Sequence, residues 1–322
     1  MPEQPDFRPS ASLETLKHRA RMLQNIRAFF HARGVLEVET PILNPAGVTD
    51  PHIDSLQTYW RDKGQAVYLH TSPEYAMKRL LAAGSGPVYQ ISRVFRYGER
   101  GAVHHPEFTM LEWYRPGMDH RQLMAEVDEL VRRLLAEHVQ LQATLLWSYR
   151  EAWQQTVGVD PFALDNQGLQ RLAREQGIDS TDLGEDRDAW LQLLMSHRIE
   201  PALPKARPVF IYDFPASQAA LARIRSTEPP VAERFELYID GMELANGFHE
   251  LTDAAEQQRR FNADLKLRKK MGKPVMPIDT QLLAALPHMP DCAGVALGLD
   301  RLLMVAMGAS RIDEVMAFVL DS

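Results

Sequence analysis

Cysteine is nearly absent. Cys292 stands alone, so an internal disulfide and any cysteine-based metal cluster are excluded, and its apolar neighbours suggest a small buried side chain. No run of about 18 apolar residues occurs, and the opening MPEQPDFRPS lacks the charged-then-apolar pattern of a secretory signal. A cytoplasmic protein without a membrane partner is therefore expected. Positive charge is not in excess either: 36 Lys and Arg face 43 Asp and Glu, a formal net charge of -7. With no global basic field, a nucleic-acid partner is disfavoured unless a local patch supplies one. Neither G-x-x-x-x-G-K-[ST] nor G-x-G-x-x-G is present, so a nucleotide would have to be held by arginines and magnesium on an antiparallel sheet. What remains is ordinary: 322 residues, 45% hydrophobic and 25% charged, suit a globular chain with a large core. That length suggests about two domains, yet no linker divides it.

Chemistry concentrates in residues 231–250, VAERFELYIDGMELANGFHE. Two alternating runs are joined at Asp240-Gly241, a pair that tolerates the positive φ of a two-residue hairpin turn. Pairing Ile239 with Met242 sets Tyr238 opposite Glu243 and Glu236 opposite Ala245, so Glu236 and Glu243 become diagonal neighbours on one side. Like charges so close repel, and a cation such as Mg²⁺ with phosphate oxygens would reconcile them. The plainer alternative is a solvated hairpin face. A bulge at Asn246-Gly247 would turn Glu250 to the same side, placing three acids on one cavity.

Elsewhere, Ser12 caps a helix to about Ala32 whose Leu13, Leu16, Ala20, Leu23, Ile26 and Phe30 form an apolar stripe, destined either for the chain's own core or for a second subunit. VLEVETPIL follows as a strand, with Pro41 suited to an edge. Thr71-Ser72-Pro73-Glu74 reads as a capping box, which alone would explain Glu74. On the strand FTMLEWY, Phe108, Met110, Glu112 and Tyr114 share a face; an acid beside a phenol suits either a pocket for an amine or a plain hydrogen bond. The preceding loop carries Arg93, Arg96, Glu99, Arg100, His104 and His105, where arginine at a strand end suits phosphate. The histidine pair is better read as loop polarity or base contact than as a metal site. Residues 119–200 are helix-rich, resembling an insertion without nameable chemistry. In CAGVALGLDRLLM, Gly294 and Gly298 leave room for a flat ligand, and Arg301, in the first turn of a helix, needs an anion or an acid such as Asp300 beside it.

Taken in order, RGVLEVETP, FRYGERG with HHPEFTMLEWY, and ELANGFHE with GVALGLDRLLM resemble motifs 1, 2 and 3 of the class II aminoacyl-tRNA synthetases, closest to the lysyl branch, over roughly residues 12–318. The resemblance implies an α+β fold, an antiparallel sheet flanked by helices, as a single catalytic domain spanning 1–322. Motif 1 begins within the first few dozen residues, which leaves no place before it for the OB-fold anticodon-binding domain of that branch. The chain thus resembles the members that acylate a protein lysine, with lysine or β-lysine as substrate, elongation factor P as acceptor, and tRNA disfavoured. It implies ATP and Mg²⁺ as cofactors and a homodimer through motif 1. Arg96 would meet the α-phosphate and Arg301 the γ-phosphate; Glu99, His105, Glu243, Leu244 and Gly298 would adjoin the nucleotide; Glu236 and Glu243 would hold the metal. Ser72, Pro73, Glu74, Glu112, Tyr114, Glu250 and Ala296 would surround the amino acid. Three positions depart from the pattern. Motif 2 reads FRYGE where FRNE is usual, so the acid comes one place late at Glu99; His105 replaces an asparagine; Ala296 replaces a glycine, narrowing the amino-acid pocket. Adenylate formation for tRNA or another acceptor, and a catalytically silent synthetase-like binding subunit, are the rival readings.

Overall fold

The computed structural model describes residues 7–61, 64–178 and 183–320; residues 1–6 of the proline-rich start, expected to be loose, lie outside them. Chain order gives β1 (Leu36–Glu37), β2 (Leu43–Asn44), β3 (Gln57–Tyr59), β4 (Ala66–Leu69), β5 (Val88–Phe95), β6 (Glu107–Pro116), β7 (Leu145–Ser148), β8 (Pro208–Pro215), β9 (Ile224–Arg225), β10 (Val231–Ile239), β11 (Met242–His249) and β12 (Cys292–Gly298). Nine of these form one sheet in the order β1-β5-β6-β12-β11-β10-β8-β7, with β9 beside β10; β2, β4 and β3 make a small second sheet. The interior pairs are antiparallel, and only β1/β5 and β7/β8, at the two ends, are parallel. An α+β fold with a mainly antiparallel sheet is thus observed.

Helices cover both sides. α1 (Leu13–His31), α2 (Glu74–Ala82) and α3 (His120–Leu135) are followed by α4 (Tyr149–Val157), α5 (Asn166–Glu175), α6 (Arg187–Leu194) and α7 (Glu200–Ala202); then come α8 (Ala254–Lys270), α9 (Thr280–Ala285) and α10 (Leu299–Met307). α3 starts with a capping box between Asp119 and Gln122. Its Leu123, Val127, Leu130 and Val131, spaced by three and four, are fully buried against Trp113, Phe235 and Val295 of the sheet. At about 1.5–3 kcal/mol per buried large side chain, this stripe suffices to fix the helix. The expected helices of the 119–200 segment form as α3 to α7. α4 to α6 build a second core with Val209 and Ile211 of β8 and Tyr238 of β10. No helix among the described residues is long and apolar enough to cross a membrane.

Three local expectations need correction. In α1 the buried face is Thr15, Met22, Ile26, Phe29 and Phe30, while Leu13 is 70% exposed and Ala20 also lies outside; the expected stripe therefore drifts off the core toward its N-terminal end. VLEVETPIL is not one strand, because the segment around Pro41 breaks it into β1 and β2. The hairpin turn is as expected, with φ of 54° at Asp240 and 82° at Gly241. Next to the turn the register is also as expected, Ile239 facing Met242 and Tyr238 facing Glu243, but beyond it Leu237 faces Ala245 and Glu236 faces Asn246 instead of Ala245. The extra residue is Leu244, directly after Glu243, and not Asn246-Gly247. One inserted residue still has the foreseen effect: Glu243, Asn246 and Glu250 come to one face.

One buried acid ties three elements together. Asp300 of α10 accepts 2.6 Å bonds from the Arg19 guanidinium of α1 and the Thr109 amide of β6, and it is 1% exposed. Replacing it leaves Arg19 without its charge partner. Asp300→Ala is expected to lower unfolding stability by about 3 kcal/mol, read as a shifted denaturant midpoint with unchanged slope.

Candidate active site

Two cavities meet on the sheet face that carries Glu236, Glu243 and Glu250, and both are bordered by Ile53, Arg96, Met110, Asn246 and Ala296. The first carries two arginines. Arg96, His104, His105, Phe108 and Leu244 line it with Glu99, Glu243, Gly298 and Arg301. Arg301 donates to the carbonyls of Glu243 at 2.9 Å and Val103 at 3.2 Å, and lies 2.7 Å from the His104 ring. Burial and the neighbouring Arg301 hold His104 below its usual pKa, so its ring can accept from the guanidinium. The expected Asp300–Arg301 pair does not exist, because Asp300 serves Arg19; the nearest acid is Glu243, at 3.9 Å. Arg96 lies over the Phe108 ring at 5.1 Å and is 3.4 Å from Glu99, and its buried Nε has no partner. An unpaired buried guanidinium nitrogen at the junction suits an anionic oxygen. His105 is held by the Glu107 carbonyl, 2.6 Å away.

Glu236 and Glu243 do share a side, as expected. Burial and then the charge of Glu236 raise the pKa of Glu243. Glu236 is answered by Arg234, by the Tyr238 hydroxyl and, at 3.5 Å, by Asn246. Glu200 is a third acid on this wall, pushed up to about 7 by burial, Glu243 and Glu236. Carboxylates gathered closely enough to raise Glu243 and Glu200 are the donor set a hard divalent cation would relieve, so the residues fit Mg²⁺. The hairpin face is not simply solvated: Glu236 is buried, while the Glu243 side chain is 40% exposed.

The second cavity is acidic. Ser72, Glu74, Glu112, Tyr114, Glu250 and Ala296 line it; Pro73 faces a smaller neighbouring space instead. The expected capping box is absent. Ser72 Oγ accepts from the Glu74 amide at 3.0 Å and donates to Glu112 at 2.6 Å, while the Glu74 carboxylate turns to Lys78. Tyr114 donates to Glu112 at 2.7 Å, so the hydrogen-bond reading holds, and the same pair borders this cavity. Burial and then Glu74 push Glu112 up to about 8; burial and Glu74 raise Glu250 to about 7 although Lys78 opposes them. Gly294 leaves no room for a flat ligand: a methyl there would meet the Tyr114 ring at 2.3 Å and Glu250 at 2.5 Å. At Gly298 the nearest neighbour is the Leu244 carbonyl, at 3.8 Å, so space remains.

Lys78 is the residue missed by reading the sequence. Fully buried, it lies 2.6 Å from both Glu74 and Glu250. Its (i, i+4) spacing from Glu74 on a helix was a signal, but its bridge to Glu250 crosses 172 residues (250 − 78). Three carboxylates and one ammonium leave a charge of about -2 when ionised, the complement of a diammonium ligand. Arg234 and Glu200 were also missed, since neither lies in a recognisable motif; Asn246 lies within ELANGFHE but was read only as a bulge position.

A family model described as tRNA synthetases class II (D, K and N) matches residues 5–322. A protein of Edwardsiella ictaluri (strain 93-146) named Elongation factor P--(R)-beta-lysine ligase is 51% identical over 327 residues, covering 100% of this chain and 99% of the relative. Proteins of the same name from Pasteurella multocida (strain Pm70), 50% identical with 99% of each chain covered, and Pseudoalteromonas translucida (strain TAC 125), 52% identical with 96% of each covered, are similar along their lengths.

The raised acids give a pH dependence of definite sign. Glu112 and Glu250 stabilise the empty protein in their protonated forms, a contribution lost as pH rises through about 7 to 8. A diammonium ligand needs them ionised, so lysine affinity should rise by about tenfold or more between pH 6 and 8, with proton release on binding. Calorimetry in buffers of different ionisation enthalpy checks both; pH-independent affinity without proton release contradicts the assignment.

Proposed function

The chain belongs to the class II tRNA synthetases (D, K and N), and from that premise we propose that it activates (R)-β-lysine with ATP and transfers it to a lysine ε-amine of elongation factor P. One observation carries the reading. An acid-lined pocket charged for two ammonium groups adjoins an arginine-bearing cavity, with Arg96 common to both, in a chain similar along its length to ligases of that name. The carboxylate of the amino acid would face Arg96 while its ammonium groups face Glu74, Glu112 and Glu250.

In the first step a carboxylate oxygen attacks the α-phosphorus of ATP, the bond to pyrophosphate breaks, and an aminoacyl-adenylate forms. Arg96 and Arg301 offset negative charge on the phosphates. Glu236 and Glu243 would hold Mg²⁺, which supplies further neutralisation of phosphate charge. In the second step the acceptor amine attacks the carbonyl carbon, AMP leaves, and the amine yields its proton. The Ala296 methyl supports a substrate other than the α-amino acid by narrowing the pocket. Leu13, Leu36, Ile42 and Leu43, each 40% exposed or more, support a homodimer through the motif 1 segment; a monomer in sedimentation equilibrium would remove that part.

Arg96→Ala should reduce ATP–pyrophosphate exchange by about 10²-fold or more, since a preorganised charge donor is lost. Undiminished exchange would reject its role. Mass spectrometry of elongation factor P incubated with enzyme, ATP and each lysine isomer tests the transfer, with bulk tRNA as the competing acceptor. Adenylate formed but delivered only to tRNA would overturn the assignment of acceptor.

A further inference from the structure

On the other face of the sheet, His120 from the start of α3, Glu233 from β10 and His249 from β11 converge, one ligand-type atom of each lying within 4.8 Å of the others. Alternation along β11 points His249 away from the face that Glu250 occupies. No local histidine spacing announces this group, because it is assembled from three separate elements.

His120 is the anomaly. It is 2% exposed, yet neither ring nitrogen has a hydrogen-bond partner. Burying an imidazole this way is costly unless something satisfies it. Asp213 Oδ1, also buried and unpartnered, stands 3.6 Å from His120 Nε2. His249 repeats the arrangement with better geometry: its Nε2 is 3.0 Å from Asp291 Oδ1, and its Nδ1 is 2.7 Å from Glu233 Oε2. Each imidazole thus has a carboxylate on its Nε2 side, in hydrogen-bond contact for His249 and 3.6 Å away for His120, the kind of outer partner by which carboxylates orient metal-binding histidines; a metal ion would replace the proton now shared between His249 Nδ1 and Glu233. Arginines contact the same carboxylates. Arg225 lies 3.4 Å from Glu233 Oε1 and 2.6 Å from Asp213 Oδ2, the oxygens turned away from the histidines, while Arg223 shares Asp291 Oδ1 with His249. Glu233 Oε2 faces inward against His249 Nδ1. A network of ion pairs alone accounts for His249 but leaves His120 Nδ1 buried and unused.

We propose that His120, Glu233 and His249 bind one divalent transition-metal ion of the zinc class, a structural site separate from the candidate active site. Two imidazoles and one carboxylate suit zinc, with water completing the shell. Such an ion would pin the N-terminus of α3 to β10 and β11.

Tag-free full-length protein, dialysed against zinc and then against metal-free buffer, should retain one zinc per chain by elemental analysis. Competition with a chromogenic chelator should show affinity reduced by at least about tenfold in His120→Ala and in the more conservative Glu233→Gln. His197→Ala, at an exposed histidine outside the cluster, should bind as the parent does. Chelator treatment should lower the melting temperature of the parent and not that of His120→Ala. Zinc well below one per chain, or equal affinity in the parent and both cluster variants, would overturn the site, and neither result bears on adenylate formation.

Discussion

Crowded carboxylates are the constraint on which this structure turns. Glu74, Glu112 and Glu250 converge in one cavity, and Glu200, Glu236 and Glu243 on the adjoining wall. Like charges at such range destabilise one another unless cations intervene or protons are retained. The fold supplies part of the answer, through Lys78 beneath the first group and Arg234 with Tyr238 beside Glu236. The rest shows as raised pKa values at Glu112, Glu250, Glu200 and Glu243. A cation placed among such carboxylates would relieve existing repulsion.

The scaffold explains why that crowding is tolerated. Strands β6, β12, β11 and β10 lie side by side, and their opposite face is sealed by α1, α3 and α10 over a continuous apolar core. The acids project from the other face, where Gly294 gives up its own side-chain volume to Tyr114 and Glu250. The 119–200 segment does more than fill space. α4 to α6 close a second core against β8 and β10 and bring Glu200 onto the wall that carries Glu236 and Glu243. An element without legible chemistry thus acquires it by position.

Much of the site was legible beforehand because local rules governed it. The Asp240-Gly241 turn demanded positive φ, which fixed the hairpin and set Glu243 opposite Tyr238. Alternation along β6 put Glu112 and Tyr114 on one face. The bulge was misplaced by about two residues, since a single inserted residue has the same effect on facing at either position. Lys78 was overlooked for a different reason: its partner Glu250 is distant in the chain, and no periodicity encodes that meeting.

By itself, then, the amino-acid order determined the strands, the hairpin, the motifs and most of the residues around both cavities, since these follow from backbone sterics, alternation and short spacings. Only the tertiary structure decided what answers each charge. Asp300 went to Arg19 instead of Arg301, Glu74 to Lys78 instead of a helix cap, and His120 to the neighbourhood of Glu233 and His249. Ion pairs depend on distances between groups far apart in sequence, and those distances exist only once the sheet has aligned its strands and the helices have closed over it.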